Sequence, residues 1–394
     1  MFLFKNKENF HTLLQKISGC DFCLETSFGR IALYTALKAI NVIDKEILVP
    51  IFICNSVVDA IVNSGAKPVF IDINPNDFTI DLSDTEKKIT KKTKAILFVH
   101  YFGYVYPKIQ EIQSFAQKNN LLVIEDCAHS LGAFYKDKPV GSFGDISIFS
   151  FTKNITGFGG GAICTNNEDI YLQLKNEINE KRQYQNNFLK FIYTLIYYYK
   201  VNIDQLLFDR PSKSIFKWWL INLPDVILKP IKYSKDLDEK MKGAGINNRY
   251  DKIFNFTPSM NLFGALVNKR QIQKLRSVNE KRHNIAEHIR NSVPNLIHEI
   301  NDYKLYSNVY TFLILKAHKL NINETIEWFR KKGICVRTTW PVFQKQLPEQ
   351  KLNKNIQYIA DNFVLLRISP NLNKHDLDYL IYNLKHFQNG TNNS

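Results

Sequence analysis

Between about residues 25 and 170 the apolar positions alternate between two rhythms. Short continuous runs, Ile47-Leu48-Val49, Val69-Phe70-Ile71, Ala95-Ile96-Leu97-Phe98-Val99 and Leu122-Val123-Ile124, read as strands buried on both faces. Amphipathic stretches between them predict helices over Gly29–Ile40, Asn55–Asn63 and Ile109–Lys118. Strands and helices in this order predict an α/β fold, a mainly parallel sheet covered by helices. Ligands on such sheets bind beyond the carboxyl ends of the strands.

From about Arg270 the pattern becomes that of a smaller α+β unit. A long helix is expected over Ile272–Asn291, a strand around Val309–Leu315 and a helix over Asn323–Lys332, then short strands and a final helix over Lys374–Leu384. The expected division is a large domain over 1–265 and a small one over 266–394, with a frayed tail from Asn389.

Two strand ends carry the candidate chemistry. Leu121-Leu122-Val123-Ile124-Glu125 runs into Asp126, and Ile146-Ser147-Ile148-Phe149 runs on through Ser150 to Lys153, just before the cluster Gly157, Gly159, Gly160 and Gly161. An amine and a carboxylate at the ends of neighbouring buried strands are what pyridoxal phosphate (PLP) chemistry requires. The lysine carries the cofactor and the acid partners its ring nitrogen. A helix opening at Gly29 would offer unpaired amides and a positive dipole end to a phosphate, and Arg30 a charge-assisted contact.

Composition narrows the class. The 394 residues are 45% apolar, enough for a sizeable core. The net charge of +15 comes from lysines and arginines spread along the chain rather than gathered in a recognition module, so no nucleic-acid partner is expected. A basic surface suits phosphate-bearing substrates or an anionic membrane face. Six scattered cysteines read as reduced thiols and point to the cytoplasm. Cys20 and Cys23 lack the second ligand pair a zinc site needs, and no metal is expected. Lys5, Lys7 and Glu8 interrupt the first apolar residues, so no signal peptide is read there.

Several ordered motifs resemble one family, the DegT/DnrJ/StrS-type nucleotide-sugar aminotransferases. They are Val49-Pro50, Gly65-Ala66-Lys67-Pro68-Val69-Phe70-Ile71-Asp72, Val99-His100-Tyr101-Phe102-Gly103, Glu125-Asp126-Cys127-Ala128-His129-Ser130, Val140-Gly141-Ser142-Phe143-Gly144-Asp145 and the lysine run. The resemblance implies fold type I and a homodimer with shared active sites. It also implies amino transfer, with glutamate as donor, to a nucleotide-linked keto-sugar, supplying amino sugars for surface glycans or secondary metabolites. It makes Lys153 the attachment lysine and Asp126 the partner of the ring nitrogen. His129 is set against the ring or its phenolic oxygen, and Ser150 and the Phe28-Gly29-Arg30 turn on the phosphate. Asn255 matches the asparagine that reaches a neighbouring subunit's phosphate.

The chain departs from that pattern in four places. Only Phe151 and Thr152 separate Ser150 from Lys153, Arg30 replaces a small residue or threonine, and Cys54 stands where many relatives place a stacking aromatic. An aromatic and basic insertion over about 184–248 suits a helical lid, a dimer contact or a helix lying at the inner face of the membrane. The other readings are a same-fold PLP enzyme on a different keto substrate and a non-catalytic sensory or binding protein. Lys153 counts against the dehydratase branch, which carries histidine there, and intact Asp126 and His129 count against loss of catalysis.

Overall fold

The computed structural model describes residues 2–180, 195, 260, 262–302, 306–317, 320–340 and 353–389. The insertion expected over 184–248, apart from Leu195, lies outside the described residues, as do Asn255 and the tail beyond Asn389. After α1 (Phe2–Ser18) the chain runs β1 (Phe22–Thr26), α2 (Gly29–Ala39), β2 (Glu46–Pro50), α3 (Asn55–Asn63), β3 (Lys67–Ile71), α4 (Leu82–Lys88), β4 (Thr93–Val99), α5 (Ile109–Lys118) and β5 (Leu122–Asp126). It continues through β6 (Phe134–Tyr135), β7 (Lys138–Pro139), β8 (Ile146–Ser150), β9 (Gly161–Thr165) and α6 (Glu168–Glu180).

Seven strands form one sheet in the order β1-β9-β8-β5-β4-β2-β3. The strands are parallel except β9, which runs antiparallel to both β1 and β8. Every residue of β2, β8 and β9 is buried, the burial that continuous apolar runs demand. The sheet is therefore the expected one, mainly parallel, with its β5 and β8 ends side by side.

The second half contains α7 (Leu262–Gln273), α8 (Leu275–Ser292), β10 (Tyr306–Ser307), β11 (Phe312–Lys316), α9 (Ile322–Lys331), β12 (Val336–Thr338), α10 (Lys354–Asn362), β13 (Phe363–Arg367) and α11 (Lys374–Asn389). Strands β11, β13 and β12 pair antiparallel in that order. The helix expected over Ile272–Asn291 is two helices. At Lys274 the chain tightens, its N–H bonding Gln271 O at 3.1 Å, and this turn lets both Ile272 and Leu275 be buried.

The strand expected from Val309 begins only at Phe312, because residues 308–311 dock on the large sheet's loop instead. Val309 N–H donates to Gly103 O at 2.9 Å, and Asn308 Oδ1 accepts from Val105 N–H at 2.8 Å. Gly103 sits at φ +94, and a Cβ there would lie 2.6 Å from Thr311 N, so only glycine permits this approach. Thr311 Oγ1 then donates to His129 O at 2.9 Å, tying β11 to the loop that follows Asp126.

Candidate active site

Asp126 is the last residue of β5, and Lys153 follows the end of the parallel neighbour β8 by three residues, with Asp126 opposite Ile148. Side chains alternate along a strand, so Glu125 and Asp126 face opposite sides of the sheet. Asp126 borders a cavity of about 110 Å³ that is also lined by Gly29, Arg30, His129, Ser150 and Lys153. Six of the expected site residues thus meet around one space, and the seventh, Asn255, lies outside the described residues. A much larger cavity of about 1130 Å³ between α1 and α8 contains none of them.

The electrostatics of this space suit a phosphorylated aromatic cation. Burial raises the pKa of Asp126, with the Ala128 N–H (2.9 Å) and the charge of Lys153 among the opposing influences. A cationic ring nitrogen beside Asp126 would stabilise its ionised form. Burial, with the charges of Lys153 and Arg367, holds the His129 pKa well below its ordinary value, so the ring is neutral at neutral pH. Among the described residues His129 Nδ1 is buried without a hydrogen-bond partner, which suits it to a bound group.

The start of α2 closes one end of this space. Phe28 occupies the N-cap and supplies no side-chain cap, so the first amides of the helix are left for a ligand. A Cβ at Gly29 would lie 3.0 Å from Ser150 Cβ and 3.2 Å from Phe149 O, which keeps this turn against the end of β8. Ser150 Oγ and Thr152 Oγ1 are 3.2 Å apart on the same wall, so the short segment before Lys153 offers two hydroxyls rather than one. Cys54, the N-cap residue of α3, also borders the cavity.

A second cavity of about 240 Å³ adjoins the first, and both are lined by His129, Thr152, Lys153 and Trp340. It adds Arg337 from β12 and Arg367 from β13, and its described lining includes no acid. Arg337 pairs with Leu365, so Arg337, Leu365 and Arg367 share one face of the small sheet. Arg367 was not singled out as a site residue by the sequence pattern, because only the pairing of β12 with β13 brings it beside Arg337.

Glu125 is a further residue that the motif did not explain. Its Oε1 accepts from His100 Nε2 (3.0 Å) and Gly141 N–H (2.7 Å), and its Oε2 from Phe143 N–H, Gly144 N–H (both 2.9 Å) and Ser147 Oγ (3.2 Å). His100 Nδ1 accepts from Tyr106 N–H at 2.9 Å, which puts the ring proton on Nε2, facing Glu125. His100, Glu125 and Cys127 lie close enough together to suggest a metal site, but the imidazole and the carboxylate are already engaged in these hydrogen bonds. The cluster fastens the Gly141–Ser147 loop beneath the floor of the site.

Comparison with known proteins agrees with this architecture. Residues 2–192 match the DegT/DnrJ/EryC1/StrS aminotransferase family. A GDP-perosamine synthase of Escherichia coli O157:H7 is 39% identical over 167 residues, which is 42% of this chain and 46% of that protein. The chain thus matches about half the length of that curated relative. A DegT DnrJ EryC1 StrS aminotransferase from Brucella abortus superposes with a TM-score of 0.70 at 17% identity, covering 98% of this chain and 90% of that one. NtdA from Bacillus subtilis, solved with bound cofactor PMP, superposes with a TM-score of 0.68 at 19% identity, covering 97% and 77%. The structural likeness establishes the fold as that of type I PLP-dependent aminotransferases, with its mainly parallel sheet. Over residues 2–192, just under half of its length, this chain is thus similar in sequence to the DegT/DnrJ/EryC1/StrS aminotransferase family.

Proposed function

We propose that the protein is a PLP-dependent aminotransferase that moves an amino group from glutamate to a keto-sugar carried on a nucleotide. The observation that carries this reading is the pairing of Lys153 and Asp126 around one cavity at the ends of adjacent parallel strands. The relative named GDP-perosamine synthase supports a nucleotide-sugar acceptor, and the PMP-bound relative supports the cofactor. PLP, when bound, supplies the electron sink that lets a Cα–H bond of the donor break.

In this reading the chain binds, orients and moves protons. The α2 amides at Gly29, with Arg30, Ser150 and Thr152, hold the phosphate. Asp126 would keep a proton on the ring nitrogen, and His129 would help to orient the ring. Lys153 Nζ would hold the cofactor and, when free, would be the amine placed to take a proton from the donor's Cα and to return one on the acceptor side. Arg337 and Arg367 anchor carboxylates in the adjoining cavity, where guanidinium forks match them bidentately. A homodimer with Asn255 on a neighbouring phosphate, a division near residue 265 and a contact role for 184–248 are further parts of the proposal.

The test is to incubate the PLP-loaded protein with glutamate labelled at nitrogen and a panel of nucleotide-linked keto-sugars, and to follow the label by mass spectrometry. The label is expected on a sugar nucleotide. Label that reaches only 2-oxo acids would overturn the acceptor class, and label that never leaves glutamate would overturn glutamate as the donor.

A further inference from the structure

We infer that Trp340 is a cofactor-contacting residue, its indole set against the pyridine ring held between Asp126 and Lys153; the inference rests on the PLP reading above. Trp340 lies just beyond β12 and borders both cavities, as do Lys153, Thr152 and His129. Its ring packs against Phe52 (5.5 Å between centroids), Tyr101 (5.6 Å), Phe102 (5.2 Å) and His129 (5.9 Å).

That aromatic bed is rigid. Phe52, Tyr101 and Phe102 are all at most 2% exposed, and Tyr101 OH donates to Phe52 O at 2.7 Å. The indole is half-buried, so part of its surface is left facing the cavities. Of the described residues around the first cavity, only Phe28, His129 and Trp340 carry rings. Phe28 has the Arg30 guanidinium over its ring at 5.8 Å, and His129 is a neutral imidazole. Cys54, Leu97, Ala128 and Ile148 make the remaining wall small or aliphatic.

A protonated pyridine ring is a flat cation, and the negative face of an indole attracts it more strongly than any other side-chain ring. Because the packed bed fixes the indole beforehand, little freedom is lost when the ring arrives. A wall placed there also keeps water from the amine of Lys153.

The test uses the full chain as wild type, Trp340→Phe and Trp340→Ala, each first shown by thermal melting to fold without PLP. PLP affinity is measured by equilibrium dialysis, the asymmetry of the bound ring by circular dichroism in its visible band, and the quenching of tryptophan emission as PLP is added. Trp340→Ala is expected to bind PLP about tenfold more weakly and to change the visible dichroism, while Trp340→Phe stays near wild type in affinity. The quenched share of emission is expected to fall in Trp340→Phe, because the contacting indole is gone. Wild-type affinity and dichroism in a folded Trp340→Ala would overturn the inference. If the alanine variant does not fold, undiminished quenching in Trp340→Phe overturns it. A wild-type protein that takes up no PLP overturns the reading beneath it as well, so the two failures are told apart.

Discussion

Lys153→Ala is expected to lower amino transfer by about 10²- to 10⁴-fold, the share that a positioned proton-transfer group supplies, with further loss from the missing attachment. The reason is geometric. Lys153 is the only amine lining the first cavity among the described residues, and it also lines the second, where the two arginines stand. The α2 turn, Ser150 and Asp126 are untouched by the substitution, so the cofactor is expected to remain bound without a covalent link. Single-turnover kinetics with glutamate measures the loss, and borohydride treatment followed by peptide mapping shows whether the cofactor is fixed at Lys153. A Lys153→Ala protein that transfers amino groups within about tenfold of wild type would remove Lys153 from the reaction.

Glu125→Ala is expected to cost about 3–5 kcal/mol of folding stability, because each buried donor left without its acceptor costs about 1–3 kcal/mol. Four donors, from His100, Gly141, Phe143 and Gly144, would lose their acceptor, while Ser147 Oγ keeps Gly141 O; His100 and Glu125 are fully buried. Denaturant unfolding followed by circular dichroism measures it, and a loss under about 1 kcal/mol would show that the loop is held by other contacts.

The pH dependence has a definite sign. Burial alone would raise the Glu125 pKa, but the His100 bond and the Gly141 and Gly144 N–H groups outweigh it and bring the value below the ordinary 4.5. A carboxyl with a depressed folded pKa contributes its full stability above the ordinary value and loses it as pH falls through the folded one. Wild type should therefore lose stability below about pH 4.5 more steeply than Glu125→Ala does.

The parts of the fold legible in the sequence are those set by local apolar rhythm. The runs Ile47–Val49 and Ala95–Val99 lie inside strands, and Asn55–Asn63 and Ile109–Lys118 are helices with the expected bounds. A fully buried strand has the same rhythm in either direction, so the reversal of β9 left no trace in the pattern. The break at Lys274 was hidden because Ile272 and Leu275 fit a continuous helical stripe as well as two shorter ones. The late start of β11 follows from Gly103, a partner some two hundred residues away that periodicity cannot reveal.

The candidate site divides in the same way. Lys153, Asp126 and Gly29 were visible because strand ends and a glycine turn mark them locally. Glu125 was visible as a residue but not as a hub, since its five donors come from residues 100 and 141–147. The place of Arg367 beside Arg337 depends on strand register in the small sheet, and the seat of the Trp340 ring on the buried rings beneath it.

The most direct measurement is the near-visible absorption of the purified protein with PLP, before and after glutamate is added. The account predicts a band from cofactor held on Lys153 that glutamate converts to the amine form of the cofactor. No uptake of PLP, or a band that no amino donor changes, would contradict it.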